Sequence, residues 1–438
     1  MKGNGRMKRV SYLPKLFRLV TTACISIGLM AAMTVPAFAA VSSKPQLALS
    51  ETNGYENYAI RHQGNCGVDG DNITYTMYDN GLLVLRGSGR MENYAEDQDE
   101  KSKLAYMRPW DFGVGGKNWS AEIKAVRIEN GITKIGAAAF KDCENLTRVE
   151  IPASVTQIGN SAFSGCKNLK SITLPSGLTR IGENAFRSTG LEGIGIPATV
   201  QTIEKEAFSW CKLTHVVVPE GVQTIQDSAF SYNETLTAVS LPASMANYGE
   251  TVFLGCPNLT QITIDPKNPQ YTVIANSVYS KDGTELLELD PSASGVYTIP
   301  AGTRRIAKDA VTARNLEGVI VPDGVESIAS YAFYLCSNLK AVYIPTSVTS
   351  MGGNQASFMV QYSKFVPFFI YGGSEAQWNN LNDGLPPTLD NAELFYNGTP
   401  DNVAYVVQKY NEALSESTST ASSYDEKGGF YYDPLAAG

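Results

Sequence analysis

The sequence predicts a repeat solenoid, an array in which short parallel strands and short helical turns stack on one another. Three observations predict it. A motif recurs every 22–23 residues, apolar and polar residues alternate within each copy, and a proline often follows the alternating segment. A fixed period of this length is typical of stacked repeat architectures. Alternation of this kind is typical of strands with one buried face.

Marker residues give the period of the repeats. They are Phe140, Phe163, Phe186, Phe208, Phe230 and Phe253, and the register resumes with Val311, Phe333 and a looser copy at Phe358. In the copy at 146–168, apolar residues alternate with Arg148 and Glu150, and Pro152 then ends the strand because it has no N–H. The residues from Ile158 to Cys166 are spaced as in a short helical turn. One copy has too few apolar side chains to fold alone, so neighbouring copies must share a core.

Two segments carry a resemblance to a known family. They are VTQIGNSAFSGCKNLKSITLP at 155–175 and GVESIASYAFYLCSNLKAVYIP at 324–345, and they resemble the BspA-like bacterial leucine-rich repeat family. The β-rich segment at 63–94 and the segment FIYGGSEAQWNNL at 369–381 are similar to the segments that precede and end the repeats in that family. The resemblance implies a leucine-rich repeat array in an exported or surface protein that binds partners.

The repeats set the predicted boundaries. We expect a β-rich N-terminal capping segment at 40–122, leucine-rich repeats at 123–265 and 298–359, a C-terminal cap at 360–400, and a helix plus flexible tail at 401–438. Between the two arrays the period breaks. There, Lys281-Asp282-Gly283 lies between two apolar runs and indicates a β-hairpin insertion at 266–297.

Residues 1–39 are typical of a secretory signal peptide. Six basic residues precede an uncharged run at 19–35, and Ala37-Phe38-Ala39 follows as a cleavage site, which predicts cleavage between Ala39 and Ala40. An uncleaved membrane anchor is the alternative, because the uncharged run is almost long enough to span a bilayer. Cleavage would take the formal charge from −8 to −14 and give a secreted or cell-surface protein without an integral membrane span.

Composition and motifs argue against several classes of function. The chain is acidic, which disfavours binding to nucleic acid, and it has only two histidines, His62 and His215. No nucleophile-elbow, zincin, Walker or dinucleotide-binding motif is present. We therefore expect no enzyme activity, no cofactor and no metal. An extracellular hydrolase that uses two carboxylates stays open as a minor alternative.

Two sets of repeated polar residues have structural explanations. Cys143, Cys166, Cys211, Cys256 and Cys336 share one repeat position, where we expect buried free thiols. Cys143 and Cys166 are on adjacent copies, so a disulfide between them stays open, and the role of Cys66 is undecided. The second set precedes the repeat leucine and is expected to bind backbone groups of the turns. It comprises Asn145, Asn168, Asn258, Asn315 and Asn338.

A short acidic motif, Asp69-Gly70-Asp71-Asn72, suggests a calcium loop. The spacing of an EF-hand fails, because Asn80 is at the position that requires a glutamate. A polar turn is the preferred interpretation.

The predicted binding surface is a ladder of side chains that point away from the core, two from each repeat strand. Stacking of the strands brings them onto one face, as in other solenoids. The candidate binding residues are Arg148, Glu150, Ser171, Thr173, His215, Val217, Ser240, Gln261, Thr263, Ile320 and Tyr343. The function predicted from this ladder is binding or adhesion to an extracellular protein or glycan. A passive cell-surface scaffold or spacer is the alternative.

Overall fold

The computed structural model describes residues 58–94, 108–111, 119–333, 336–352, 367–381 and 393–420. The predicted signal peptide, the copy at Phe358 and the tail beyond residue 420 lie outside the described residues. The repeat solenoid predicted from the period is confirmed. Strands and helices are numbered below in chain order.

The described N-terminal part is an antiparallel meander that joins the first repeat. Its strands are β1 (Ile60–Gly67), β2 (Gly70–Tyr78) and β3 (Leu82–Gly87). β1 pairs with β2 and β2 with β3, both antiparallel, and β3 then pairs in parallel with the first repeat strand. The edge of the first repeat is therefore covered by a hydrogen-bonded neighbour, which removes a template for unwanted strand pairing.

Most repeats contribute to two walls of short parallel strands. The first wall, here called the ladder wall, contains β5 (Ala125–Ile128), β7 (Arg148–Glu150), β11 (His215–Val217), β13 (Ala238–Leu241) and β15 (Gln261–Ile264) before the period breaks. After the break it continues with β19 (Ser294–Thr298), β21 (Asn315–Ile320), β23 (Ala341–Ile344), β25 (Phe368–Tyr371) and β26 (Glu393–Phe395).

The second wall is made mainly of two-residue strands that contain the repeat isoleucine. Its first part comprises β4 (Gly89–Arg90), β6 (Ile132–Ile135), β8 (Gln157–Ile158), β9 (Arg180–Ile181), β10 (Thr202–Ile203), β12 (Thr224–Ile225) and β14 (Asn247–Tyr248). Its second part comprises β18 (Glu285–Glu288), β20 (Arg305–Ile306), β22 (Ser327–Ile328) and β24 (Ser350–Met351).

The third side of each repeat, here called the turn side, is a pair of turns rather than the short helical turn that the spacing predicts. Two residues in each regular copy have a left-handed backbone, for example Ser161 (φ 53°) with Gly165 (φ 76°) and Glu206 (φ 52°) with Trp210 (φ 57°). Left-handed residues interrupt a right-handed helix. Backbone amides of the turns point to the neighbouring copy, so hydrogen bonds join one repeat to the next. One example is the Phe140 N–H, which donates to the Ala162 carbonyl at 2.8 Å.

A column of phenylalanines fills the core of the first array. Successive ring centroids from Phe140 to Phe253 lie 5.2, 5.4, 5.4, 5.5 and 6.0 Å apart, and all six rings are buried. Trp110 stacks on Phe140 at 5.7 Å and closes the N-terminal end of the column. The repeat phenylalanine is thus a core residue that joins each copy to the next.

The period breaks at an antiparallel meander made of β16 (Tyr271–Ile274), β17 (Ser277–Ser280) and β18. β18 then pairs in parallel with β20, so the meander is part of the second wall of the second array. The apolar core divides here: Val278 belongs to the core of the first array and Tyr279 to that of the second.

In the described part of the chain, two helices follow the second array: α1 (Glu375–Asn379) and α2 (Asp401–Thr420). α1 begins with a capping box, in which the Ser374 hydroxyl accepts the Gln377 N–H and the Gln377 side chain accepts the Ser374 N–H. α2 lies against the outer face of the ladder wall. Among the described residues, no helix is both long and apolar enough to cross a membrane.

Candidate functional site

The ladder wall carries the predicted binding residues, and its two ends differ in accessibility. From β7 to β15 the outward side chains are partly or fully exposed, and they are Arg148, Glu150, Ser171, Thr173, His215, Val217, Ser240, Gln261 and Thr263. Parallel pairing aligns them in two rows, for example His215 with Ala238 and Gln261, and Val217 with Ser240 and Thr263. Strand pairing therefore places His215, Val217, Ser240, Gln261 and Thr263 on one face of the wall.

The first strands of the ladder carry charges that neutralise one another. Glu150 Oε2 lies 3.2 Å from Arg127 Nε, and its Oε1 lies 2.9 Å from Arg148 Nη2. Arg127 and Glu150 are register partners on β5 and β7, so the ion pairs follow from strand pairing. This end of the ladder is polar without a strong net field.

The middle of the ladder is open because its side chains are small. At Gly193 and Gly195 an added Cβ would meet no atom within 4 Å. Gly195 also lines a shallow depression of about 430 Å³ together with Leu174, Ile196, Pro197 and neighbouring polar residues. Ser171 and Thr173 lie on the copy before this gap, and His215 and Val217 on the copy after it. This gap in the row of outward side chains, one repeat wide, is called the cleft below.

Beyond the cleft the ladder is of mixed character. Val217 has 38% of its surface exposed, and among the apolar residues of the described ladder strands Val296 of β19 is similarly exposed at 39%. His215 Nδ1 lies 3.0 Å from the Thr214 hydroxyl. The Thr263 hydroxyl donates to the Val239 carbonyl at 3.1 Å, so its hydrogen is already used in a bond within the wall.

Exposure of the ladder was expected at Ile320 and Tyr343, and for Tyr343 this expectation is wrong. Tyr343 is only 8% exposed because α2 covers β21 and β23, whereas Ile320 stays partly exposed beside the helix. Val403 and Val407 of α2 pack against these strands. Here the outward residues are apolar, and burial beneath an amphipathic helix removes their apolar surface from water.

The helix reaches the wall because one strand residue has no side chain. A Cβ at Gly318 would lie 2.5 Å from Val403 Cγ1 and 3.2 Å from Val407 Cγ2. Lys340 fixes the other end of the contact, since its buried ammonium lies 2.5 Å from both Glu317 Oε1 and Asn411 Oδ1. In the second half of the ladder, α2 therefore covers β21 and β23, whereas Val296 of β19 stays 39% exposed.

Four repeat cysteines, Cys166, Cys211, Cys256 and Cys336, donate hydrogen bonds to carbonyls inside the repeats. All six cysteines among the described residues are buried and free, including Cys143 and Cys166, so the possible disulfide is not formed. Cys166 Sγ donates to the Phe140 carbonyl at 3.1 Å, and Cys336 does the same to Val311 at 3.0 Å. Burial raises the pKa of Cys143 and of Cys66 to about 12, which keeps both thiols protonated and unreactive.

The repeat asparagines also bind backbone. Asn145, Asn168, Asn258 and Asn338 donate to carbonyls of the preceding copy at 2.7, 2.9, 2.7 and 2.9 Å. At the cysteine position, Asn233 replaces the thiol and donates to the Phe208 carbonyl at 2.9 Å. These polar positions therefore hold repeats together and do not form a ligand site.

The acidic motif near the N-terminus is a polar turn. The Asn72 side chain accepts the Asp69 N–H at 3.1 Å and donates to the Ser88 carbonyl at 2.7 Å. Within the described ranges no group of three or more His, Cys, Asp or Glu side chains is arranged to hold a metal ion.

Two residues with unusual surroundings were not among the predicted site residues. Glu288 is a buried carboxylate in the break between the arrays, and Trp210 is an exposed indole on the turn side. The signal for Trp210 was available in the sequence, because most other copies have Gly, Ser or Asp directly before the cysteine position, and only Tyr232 and Leu335 are also large there. The signal for Glu288 was hidden because the period is lost there.

The chain is similar to known proteins in the family of its repeats and in its fold. No curated protein sequence matched the chain. Solved structures with a similar fold include a leucine-rich repeat protein from Eubacterium ventriosum, which is 21% identical, with a TM-score of 0.49 over 76% of this chain and 84% of that one. A leucine-rich repeat protein from Bacteroides ovatus is also 21% identical, with a TM-score of 0.42 over 74% and 77%.

A third structure, a leucine-rich cell surface protein from Faecalibacterium prausnitzii, is 19% identical, with a TM-score of 0.38 over 71% of this chain and 96% of that one. The sequence matches the family described as BspA type Leucine rich repeat region. Six copies of that repeat match, in residues 118–237, 179–294 and 296–361, which together make up more than half of the chain. With the repeat geometry above, the chain belongs to the BspA-type leucine-rich repeat family.

Proposed function

We propose that this protein is exported and, without enzyme activity of its own, binds an extracellular protein or glycan through the open part of the ladder, from β7 to β15. The observation that carries the proposal is the contrast between the two halves of one wall. Helix α2 covers the apolar outward residues of β21 and β23, whereas the part from β7 to β15 has no described helix over it and contains the cleft at Gly193 and Gly195. A polar surface with few uncompensated charges suits neutral, hydrogen-bonding partners.

Export is supported by the sequence of residues 1–39, with its basic start, uncharged run and Ala-x-Ala site. The repeat architecture supports binding, because stacked strands present an extended rigid surface. A rigid surface loses little conformational entropy when a partner binds.

The test is a binding screen with the chain from residue 40 onward. Immobilised protein is exposed to panels of extracellular proteins and glycans, and any binding partner is then measured by calorimetry. The blocking variant is Gly195→Arg, at a position where an added Cβ meets no atom within 4 Å, combined with Val217→Arg. The matched control is Gln201→Arg, an exposed position just before β10 on the second wall.

We expect the double ladder variant to weaken binding at least about tenfold, as expected when the centre of an interface is blocked. Gln201→Arg should leave the affinity unchanged. Equal binding by all three proteins would contradict the ladder assignment. If the wild-type chain binds no member of either panel, recognition is excluded for those partners and the scaffold alternative is favoured.

A further inference from the structure

Three side chains form a column on the outer surface of the turn side. The Trp210 and Tyr232 rings are stacked, with centroids 4.2 Å apart and an interplanar angle of 13°. The Arg314 guanidinium lies 4.7 Å from the centroid of Tyr232. Since Trp210 covers one face of Tyr232, Arg314 covers the other. The column therefore has a cationic end at Arg314 and an aromatic end at Trp210.

The aromatic end is open to solvent. Trp210 is 45% exposed, whereas Trp110, Trp119 and Trp378 are all buried. One face of its indole rests on Tyr232, so the exposed surface belongs to the opposite face and the edges. Tryptophan is the largest apolar side chain, and leaving its face in water forgoes the free energy of burial.

The backbone at both aromatic residues is strained. Trp210 and Tyr232 each have a φ of 57°, in the left-handed region that large side chains rarely adopt. The same position in neighbouring copies has Gly165 or Gly255, which take this conformation without a Cβ clash. The turn imposes this conformation on Asp142 and Ser188 as well, so two copies have a large ring at a position where the backbone favours small residues, although Trp210 is not part of the buried core.

The next position in the column is empty of rings. Trp210 stacks on the copy that follows it, so its free face is turned toward the copy that precedes it, where Ser188 occupies the equivalent place with the same φ of 57°. The core rings of these two copies, Phe186 and Phe208, are 5.4 Å apart. The step between copies thus leaves room above Ser188 for one more flat ring, which would continue the column.

The rim of this space has polar side chains. Arg187 Nε lies 3.0 Å from Glu206 Oε2, and this ion pair connects the same two copies that carry Ser188 and Trp210. The two side chains keep 42% and 30% of their surface exposed. They can donate to and accept from groups at the edge of a ring stacked on the indole.

The chemistry of the space narrows the class of ligand. The Arg187–Glu206 pair has no net charge and so favours neither a cationic nor an anionic ring, and the formal charge of −14 without residues 1–39 further opposes an anion. A proline ring has no polar groups for the Arg187–Glu206 pair. A neutral pyranose has one face of C–H groups, which pack on the electron-rich indole face, and hydroxyl groups around its edge.

We propose that Trp210 is the stacking platform of a site for a neutral pyranose unit of an extracellular glycan. Tyr232 and Arg314 hold the indole in position, Ser188 leaves the space, and Arg187 with Glu206 binds the hydroxyl groups. This site lies on the turn side and not on the ladder wall, so it goes beyond the ladder proposal and does not depend on it.

The experiment is a fluorescence and calorimetric titration of the chain from residue 40 onward. The probes are hexasaccharides of β-1,4-linked glucose and of β-1,4-linked N-acetylglucosamine. We expect at least one to change the tryptophan emission with saturation and to protect the emission from quenching by acrylamide. Because Trp210 alone among the four tryptophans is exposed, protection reports on this residue.

The principal variant is Trp210→Ser, which introduces the residue that the preceding copy has at this position. We expect it to remove the protection signal and to lower the affinity at least about tenfold, as for loss of an aromatic stacking partner. Arg314→Gln should weaken binding by a smaller factor. Tyr405→Ser, a change at an exposed tyrosine on α2, is the matched control and should bind like wild type.

Three results would overturn the proposal. One is the absence of saturable binding by either sugar in the wild-type chain, a result that does not depend on the folding of a variant. Another is unchanged affinity in Trp210→Ser. The third is protection of Trp210 by tetramethylammonium or a polyproline peptide but by neither sugar. Gly195→Arg with Val217→Arg should not affect this site, which separates its outcome from that of the ladder.

Discussion

At the scale of single residues, Glu288 explains how the first array ends without leaving the Phe253 N–H unpaired. In regular copies the phenylalanine N–H donates to a carbonyl of the next copy, as Phe230 does to Val252 at 3.1 Å. At the break, Phe253 N–H donates instead to Glu288 Oε1 at 2.8 Å, and the Tyr248 hydroxyl donates to Oε2 at 2.5 Å. The carboxylate thus replaces a missing backbone acceptor. It also accounts for a tyrosine in place of the repeat isoleucine.

Because of Glu288, we expect the free energy of unfolding to depend on pH in a specific way. Burial raises the pKa of its carboxyl to about 7 from an ordinary value of 4.5. The folded chain therefore binds a proton that the unfolded chain has lost, and folding is favoured as the pH falls from about 7 toward 4.5. Glu288→Gln imitates the protonated acid and should be the more stable protein at pH 8, by on the order of 2–3 kcal/mol.

The measurement is chemical denaturation of wild type and Glu288→Gln between pH 4.5 and pH 8. Their difference in free energy of unfolding should shrink as the pH falls through about 7 and be small near 4.5. Glu234→Gln, at an exposed position, is the control for removal of one negative charge. A constant difference across this range would show that Glu288 does not take up the proton.

At the scale of elements, α2 decides which half of the ladder is open. Val403, Val407 and Tyr410 are buried, and Phe368 of β25 packs on Tyr410 at 5.7 Å between ring centroids. The facing strand residues are apolar, whereas the outward residues from β7 to β15 are mostly polar or small. The helix therefore matches only the second half of the wall.

Gly318→Leu should release α2 from the wall. The added side chain overlaps Val403 and Val407, and overpacking of this kind costs about 1–3 kcal/mol. Amides at 403–410 should exchange with solvent about 10–100-fold faster, as measured by hydrogen exchange. The control is Gly193→Leu, where a Cβ meets no atom, and it should leave exchange in α2 unchanged. Unaltered protection in Gly318→Leu would mean that the wall accommodates the larger side chain.

At the scale of the whole molecule, the described part of the chain has two repeat cores in series. The buried residues of the first run to Val278 and those of the second begin at Tyr279. Stability in a repeat protein is close to a sum of local and nearest-neighbour contributions. Damage to one core should therefore stay mainly within that array.

Phe333→Ala tests this independence. Loss of the buried ring should destabilise the second array by about 3–5 kcal/mol and reduce hydrogen-exchange protection across residues 298–352. Protection at 132–262 should change little. Phe163→Ala is the reciprocal variant and should affect the first array. Equal loss of protection in both arrays from either variant would indicate one cooperative unit.

Much of this molecule could be predicted from the order of its residues. The period fixes which side chains enter the core, because each copy repeats one pattern of burial, and the strands and stacked phenylalanines follow from it. The cysteines and asparagines could also be assigned, since every copy places them against the same backbone groups. The left-handed turns were missed because their backbone angles do not appear in a pattern of apolar residues.

The accessible surface was decided only by tertiary contacts. Alternation predicts that Tyr343 points outward, as Thr173 does, but not that a helix some sixty residues later lies over it. Likewise Arg314 meets Tyr232 only because the second array stacks onto the first across the break. Local pattern specifies which face of a strand a side chain takes. What covers that face depends on contacts between distant segments, and these set which surfaces of the protein remain free to bind.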